Sequence, residues 1–297
     1  MSPDRPAPVI GIVFSKDRAM QLDATLRSFL LHCADPARVM LKVIFTGSSG
    51  LFLSQYDRLK AEYRGVDFIA QTDFRWNMYD LLGIPSSKWG RLALRIGASP
   101  QSAHRYTLFL VDDNIFVRDF RLSDAADALE REKTALGFSL QAGTNINYCY
   151  PLDISVRFPS YLPVSGNVIK FKWTEIGGGL DYPLEVSSSI YRQGEIARLI
   201  ARLDFSNPNT LEAQMAAHAE DFRKSHPWLL SFDQSVTFCN PMNRVQDIFA
   251  NRAGDRPEYS ADALARLFET GRRIDVRAYN NLVPDACHQI VDITLLN

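Results

Sequence analysis

Short β-branched apolar runs alternate with helical patterns through the first 111 residues, and this restricts the architecture open to the 297-residue chain more than any other feature. Val9 to Phe14, Leu41 to Phe45, Val66 to Ile69 and Thr107 to Val111 read as strands; the last, TLFLV, is too short for a helix and is flanked by charge. Between them Leu22, Leu26, Phe29 and Leu30 recur at helical spacing. Ser54 to Tyr63 and Trp89 to Gly97 read as further helices. The alternation predicts an α/β fold with a doubly wound, mostly parallel sheet, right-handed crossovers and helices on both faces. Such sheets bind ligands beyond the carboxyl ends of their strands. The segments to inspect are therefore Ser15 to Arg18, Thr46 to Gly50, Gln71 to Phe74, and Asp112 to Asn114.

From about Gln141 the pattern loosens into loops rich in Asn, Tyr, Gly and Pro, including Gly177-Gly178-Gly179. Helices return at Gln193 to Leu203, Thr210 to Ala219 and around Ala261 to Glu269. With no repeat and no hard boundary, one continuous domain is expected, its irregular second half covering the site and receiving a second substrate.

Charge narrows the partners. Lys and Arg number 33 against 34 Asp and Glu, so no global field favours nucleic acid or an anionic membrane. Cys33, Cys149, Cys239 and Cys287 form no C-x-x-C pair, and free thiols in a reducing cytosol are expected. The opening MSPDRPAPVIGIVF lacks a signal-peptide layout, and no stretch approaches the roughly 18 apolar residues of a membrane span. The expectation is a cytoplasmic protein that would meet a membrane-linked acceptor from the surface.

The sharpest chemical feature is LFLVDDN, in which a buried strand delivers Asp112, Asp113 and Asn114 together at its end. Adjacent carboxylates repel unless a cation neutralises them, and Mg²⁺ or Mn²⁺ holding a diphosphate would do so. A turn cap beside a solvated Asp is the plainer alternative. After the first strand, Ser15, Lys16, Asp17 and Arg18 stand where a nucleotide is commonly met, with Arg18 a fork for phosphate oxygens. Two roles suit Asp17 equally: accepting from a base or ribose, or capping the next helix. Thr46 opens a small-residue turn, Thr46 to Gly50, that would admit a nucleoside or simply flex. Glu212 reads either as part of a capping box with Asn209 or as a general base. Among the histidines, His288 is the best candidate for a third metal ligand and His218 the second. Aromatic residues such as Trp76, Tyr79, Trp89, Tyr182 and Tyr191 would serve equally as core or as platforms for sugar faces.

VIGIVFSKDRAMQLDATLRSF and LFLVDDN, with SSSIYRQGEI, NPNTLEAQM, NPMNRVQ and CHQI later, resemble GT-A-fold glycosyltransferases of the family 2-like superfamily, bacterial members in particular. The resemblance implies residues 1–140 as a nucleotide-sugar-binding half and 141–297 as an acceptor-binding half whose C-terminal segment folds over the site. It implies Asp113 on the metal and diphosphate, Asp112 on the ribose or metal, and Ser15 to Arg18 on the nucleotide. Glu212 falls where inverting members place their base, although Leu211-Glu212 replaces the usual Glu-Asp pair and Asp-Asp-Asn the usual Asp-x-Asp. The donor implied is a sugar on UDP or GDP, the acceptor a glycan, a lipid-linked molecule or a small molecule. The rivals are a nucleotidyltransferase, disfavoured because FSKDRAMQL has no glycine, and a non-catalytic nucleotide- or glycan-binding module.

Overall fold

A computed structural model describes residues 8–175, 177, 181–246, 252–254 and 256–296. The first half runs β1 (Val9–Lys16), α1 (Ala19–His32), β2 (Val39–Thr46), α2 (Gly50–Glu62), β3 (Asp67–Ala70), α3 (Phe74–Leu82), α4 (Lys88–Arg95), β4 (Tyr106–Val111), β5 (Asn114–Phe116), α5 (Leu122–Arg131) and β6 (Ala135–Ser139). The second half adds β7 (Tyr148–Cys149), β8 (Ile154–Ser155), β9 (Tyr161–Ser165), β10 (Val168–Lys172), β11 (Ser189–Arg192), α6 (Gln193–Ile200), α7 (Pro208–Ala217), β12 (Trp228–Phe232), β13 (Thr237–Cys239) and α8 (Ala261–Glu269).

Among the described residues a nine-stranded sheet has the order β3-β2-β1-β4-β11-β6-β12-β10-β9. β1 to β4, β6, β9 and β12 share one direction, which β10 and β11 oppose. The sheet is thus mixed but mostly parallel, as the alternation predicts. The pleat sends alternate residues to opposite faces. In β1, Val9 and Val13 join a core with α1, α2, α5 and α8, while Ile10, Ile12 and Phe14 join a second core with α3, α4, α6 and α7. Burial on both faces is why these strands read as continuous apolar runs.

The second half is less irregular than expected, since β9 to β12 all lie in the main sheet and β11 separates β4 from β6. α2 starts at Gly50, four residues before the predicted Ser54, because Ser49 caps it by accepting from the Phe52 amide. Buried Tyr79 and Tyr191 belong to the core. Gly178 and Gly179 of the expected glycine loop lie outside the described residues.

Candidate active site

The carboxyl ends of β1 and β4 meet in parallel register, Phe14 opposite Val111, so the residues after each strand share one corner. Buried Asp112 receives Ser15 Oγ at 2.9 Å and the Lys16 amide at 3.2 Å on Oδ2. Arg18 Nη1 donates to Asp112 Oδ1 at 3.0 Å and to Asp113 Oδ2 at 3.3 Å, so one cationic nitrogen stands between the two carboxylates. Its Nε donates to Asn243 Oδ1 at 2.8 Å, and Nη2 donates to the Asn243 carbonyl. Burial pushes the Asp112 carboxyl up to about 6; Arg18 opposes the rise and Asp113 adds to it. Burial alone would lower the Arg18 pKa, but the two aspartates outweigh it and the guanidinium is held charged.

Tyr56 of α2 completes this corner. Its hydroxyl lies 2.7 Å from Ser15 Oγ and accepts from the Arg18 amide at 3.2 Å. The Ser15 proton is committed to Asp112, so Tyr56 is the donor to Ser15, and burial favours its protonated form. Asp17 adopts φ 56°, a left-handed conformation that Asp tolerates better than most residues. It does not cap α1: the N-cap is Arg18, without a side-chain bond, and Asp17 Oδ1 instead accepts from the Ser48 amide at 2.6 Å. Its own amide donates to the Thr46 carbonyl at 3.2 Å, so Asp17 ties the β1 loop to the β2 loop. This pairing brings Ser15 to Arg18 and Thr46 together.

Asn114 shapes the turn between the aspartates and β5. Its Oδ1 accepts from the Val111 amide at 2.9 Å, closing a tight loop across Asp112 and Asp113, while its Nδ2 donates to Cys239 Sγ at 3.3 Å. The third residue of Asp-Asp-Asn therefore holds the turn rather than facing a ligand. β13 pairs with β5, and the Asn240 amide donates to the Asp113 carbonyl at 2.8 Å. His288 arrives beside them through a bridge to Cys239, flanked by Cys287 and Gln289 backbone bonds to the same residue. Burial lowers the His288 pKa, with the charges of Asp113 and Glu185 opposing, and a neutral imidazole is favoured. Among the described residues no three His, Cys, Asp or Glu side chains gather into a ready metal cage. His218 lies elsewhere, at the end of α7, with Nδ1 on the Gln214 carbonyl.

The capping box at α7 is built differently from the sequence expectation. Asn207, not Asn209, is the N-cap; it accepts from the Thr210 amide, Thr210 Oγ1 returns the bond, and Pro208 follows the cap. Pro at the first helical position suits a helix start because it has no amide proton to leave unpaired. Glu212 is thereby free of capping duty. Its Oε1 accepts from the Val186 amide at 3.1 Å, and burial pushes its carboxyl up to about 7, with Glu185 adding and the Val186 bond opposing. Glu185 is itself buried and receives Ser187 Oγ at 2.5 Å and the Ser188 amide at 2.9 Å, with further bonds from the Ser187 amide and Ser189 Oγ.

Sequence reading missed Tyr56, Glu185 and Asn243. Tyr56 sits on a helix with nothing to mark it, whereas Asn243 lies within NPMNRVQ and a serine run follows Glu185, and these were the available signals.

No family model matches the chain. The chain is 25% identical over 294 residues to the bifunctional glycosyltransferase pgtA of Dictyostelium discoideum, covering 90% of this chain and 36% of that protein. It thus spans little more than a third of this curated relative. Among solved structures, S. aureus TarS aligns at 15% identity and TM-score 0.45, covering 78% of this chain and 36% of that one. TarS 1-349 in complex with UDP-GlcNAc aligns at 12% and 0.45, covering 80% and 59%. Mannosyltransferase PcManGT of Pyrobaculum calidifontis, in complex with GDP-Man and Mn2+, aligns at 11% and 0.41, covering 77% and 56%. The sequence likeness to a glycosyltransferase extends over 90% of the chain.

Proposed function

We propose that this chain is a glycosyltransferase that moves a sugar from a UDP- or GDP-type donor to an acceptor hydroxyl. The observation that carries the reading is the joined corner of Ser15, Arg18, Asp112 and Asp113 at adjacent strand ends. The sequence likeness to pgtA, a named glycosyltransferase, supports it. In this reading Ser15 to Arg18 and Thr46 hold the nucleotide, and the corner takes the diphosphate.

The donor set suits Mn²⁺ or Mg²⁺. Two carboxylates already converge on one cationic nitrogen, and such ions take one or two carboxylates with the rest of their shell from phosphate and water. Asp112 and Asp113 would hold the ion, with neutral His288 the candidate third ligand. A bound cation would supply electrostatic stabilisation of the leaving diphosphate. Arg18 would then turn from the carboxylates toward phosphate oxygens, which its planar fork also fits. Glu212 is the base for an inverting transfer: a carboxyl raised to about 7 has both the affinity to take the acceptor proton and a populated ionised form at neutrality.

Thermal unfolding with UDP and GDP, with and without Mn²⁺, tests the reading. Ligand at about a hundred times its dissociation constant should stabilise by roughly 2.7 kcal/mol. Asp113→Ala should lose that shift and donor turnover while keeping the far-UV spectrum. Absence of any nucleotide shift returns the aspartates to a structural role, and release of pyrophosphate in place of nucleoside diphosphate makes the chain a nucleotidyltransferase.

A further inference from the structure

Residues 81–111 contain no Asp or Glu yet carry Lys88, Arg91, Arg95 and Arg105, in a chain of net charge −1. Three of these cations lie on α4, whose one buried residue is Leu94. Trp89 is 81% exposed, Ile96 80% and Leu92 45%, and Trp76 of α3 is 48% exposed nearby. At about 100° per residue, Trp89, Leu92 and Ile96 fall within a stripe of roughly 60° opposite Leu94, with the three cations along one flank. Arg91 lies over the Trp76 and Tyr79 rings at 5.8 and 5.6 Å and donates to the Pro85 carbonyl; Arg95 donates to the Ala201 carbonyl at 2.7 Å. Ring faces and carbonyls hold these cations without cancelling their charge.

We propose that α4, with Trp76, is a docking site for an anionic membrane surface. Scattered exposed apolar residues need no explanation, but an indole and two aliphatics in one stripe beside uncancelled cations have the composition of a helix that lies in a lipid interface. Indole favours the headgroup level, and each cation gains from anionic headgroups. A second copy of the chain suits the surface poorly, because a two-fold contact through it would set its own cations against each other. α4 packs on α6 and α6 on α7, so the docking face belongs to the helical layer that bears Glu212. A lipid-linked acceptor follows from this placement, a consequence that rests on the transferase reading; the docking itself does not.

Co-sedimentation of the full chain with phosphatidylcholine vesicles, with and without phosphatidylglycerol, reads the docking directly and needs no donor. The protein should pellet with the anionic vesicles and release at high salt. Trp89→Ala combined with Ile96→Ser, and separately Lys88→Glu, should each weaken partitioning by about tenfold or more at unchanged melting temperature. Asp113→Ala should pellet like the unaltered chain, which separates this result from the fate of the transferase reading. Failure to pellet, or pelleting unaffected by the α4 changes, overturns the proposal. So does a dimer in sedimentation velocity that Trp89→Ala dissolves, which would assign the face to a second copy.

Discussion

Glu212 shows how one side chain's surroundings decide its chemistry. Burial beside Glu185 disfavours its ionised form, offset in part by the Val186 amide. Its pKa is raised on folding, so its contribution to stability is fully present below the ordinary glutamate range and is lost as pH rises through about 7. Removing the charge should therefore help the fold only where the carboxylate is ionised. Glu212→Gln is expected to raise stability by on the order of 2 kcal/mol at pH 8 and to change it little at pH 4, as read from urea midpoints at the two values. The same substitution should abolish transfer, whereas the unaltered enzyme should lose activity as pH falls through about 7. Equal stability effects at both pH values would show that Glu212 is not held in the environment described.

At the scale of elements, β11 ties the Glu185–Val186 turn to the central sheet. Tyr191 leaves this strand fully buried, and its hydroxyl donates to the carbonyls of Pro183 at 3.1 Å and Glu185 at 2.8 Å, fixing the turn that offers the Val186 amide to Glu212. Gly137 on neighbouring β6 makes room for that ring: a Cβ there would lie 2.7 Å from Tyr191 Cε1 and 3.2 Å from the Ile190 carbonyl. Gly137→Ala should cost about 1 to 3 kcal/mol through overpacking, visible as a lower urea midpoint at an unchanged slope. It should also reduce transfer more than donor binding, because the Tyr191 hydroxyl steadies the Glu212 side and not the Asp112 corner.

Over the whole molecule, the two halves expected from the sequence share one sheet. β4 and β6 both belong to the first half, but β11 of the second lies between them and pairs with each. The core around α1 and α5 also draws Val168, Leu230, Phe232 and Phe238 from beyond residue 140. A fragment of residues 1–140 would expose the edges of β4 and β6 and half-cover that core, which favours aggregation. It should show no cooperative transition in urea followed by circular dichroism, whereas the full chain should. A sigmoidal transition in the fragment would show that the first half is a folding unit by itself.

Local pattern was enough to predict β1 to β4, the helices between them apart from α3, and the aspartate pair after β4, because strands buried on both faces are written as short apolar runs and their ends are marked by abrupt charge. The same patterning located Glu212 but misassigned its cap, since Asn207 and Asn209 both precede the helix start expected at Thr210 and only the proline between them separates the choices. Arg18 between the two carboxylates, Tyr56 behind Ser15, Asn243 beneath Arg18 and Glu185 beside Glu212 join residues 27 to 225 positions apart. Such pairings leave no periodic trace in a single sequence. They exist because the order of strands in the sheet brings distant loops to one edge, and only the tertiary structure sets that order.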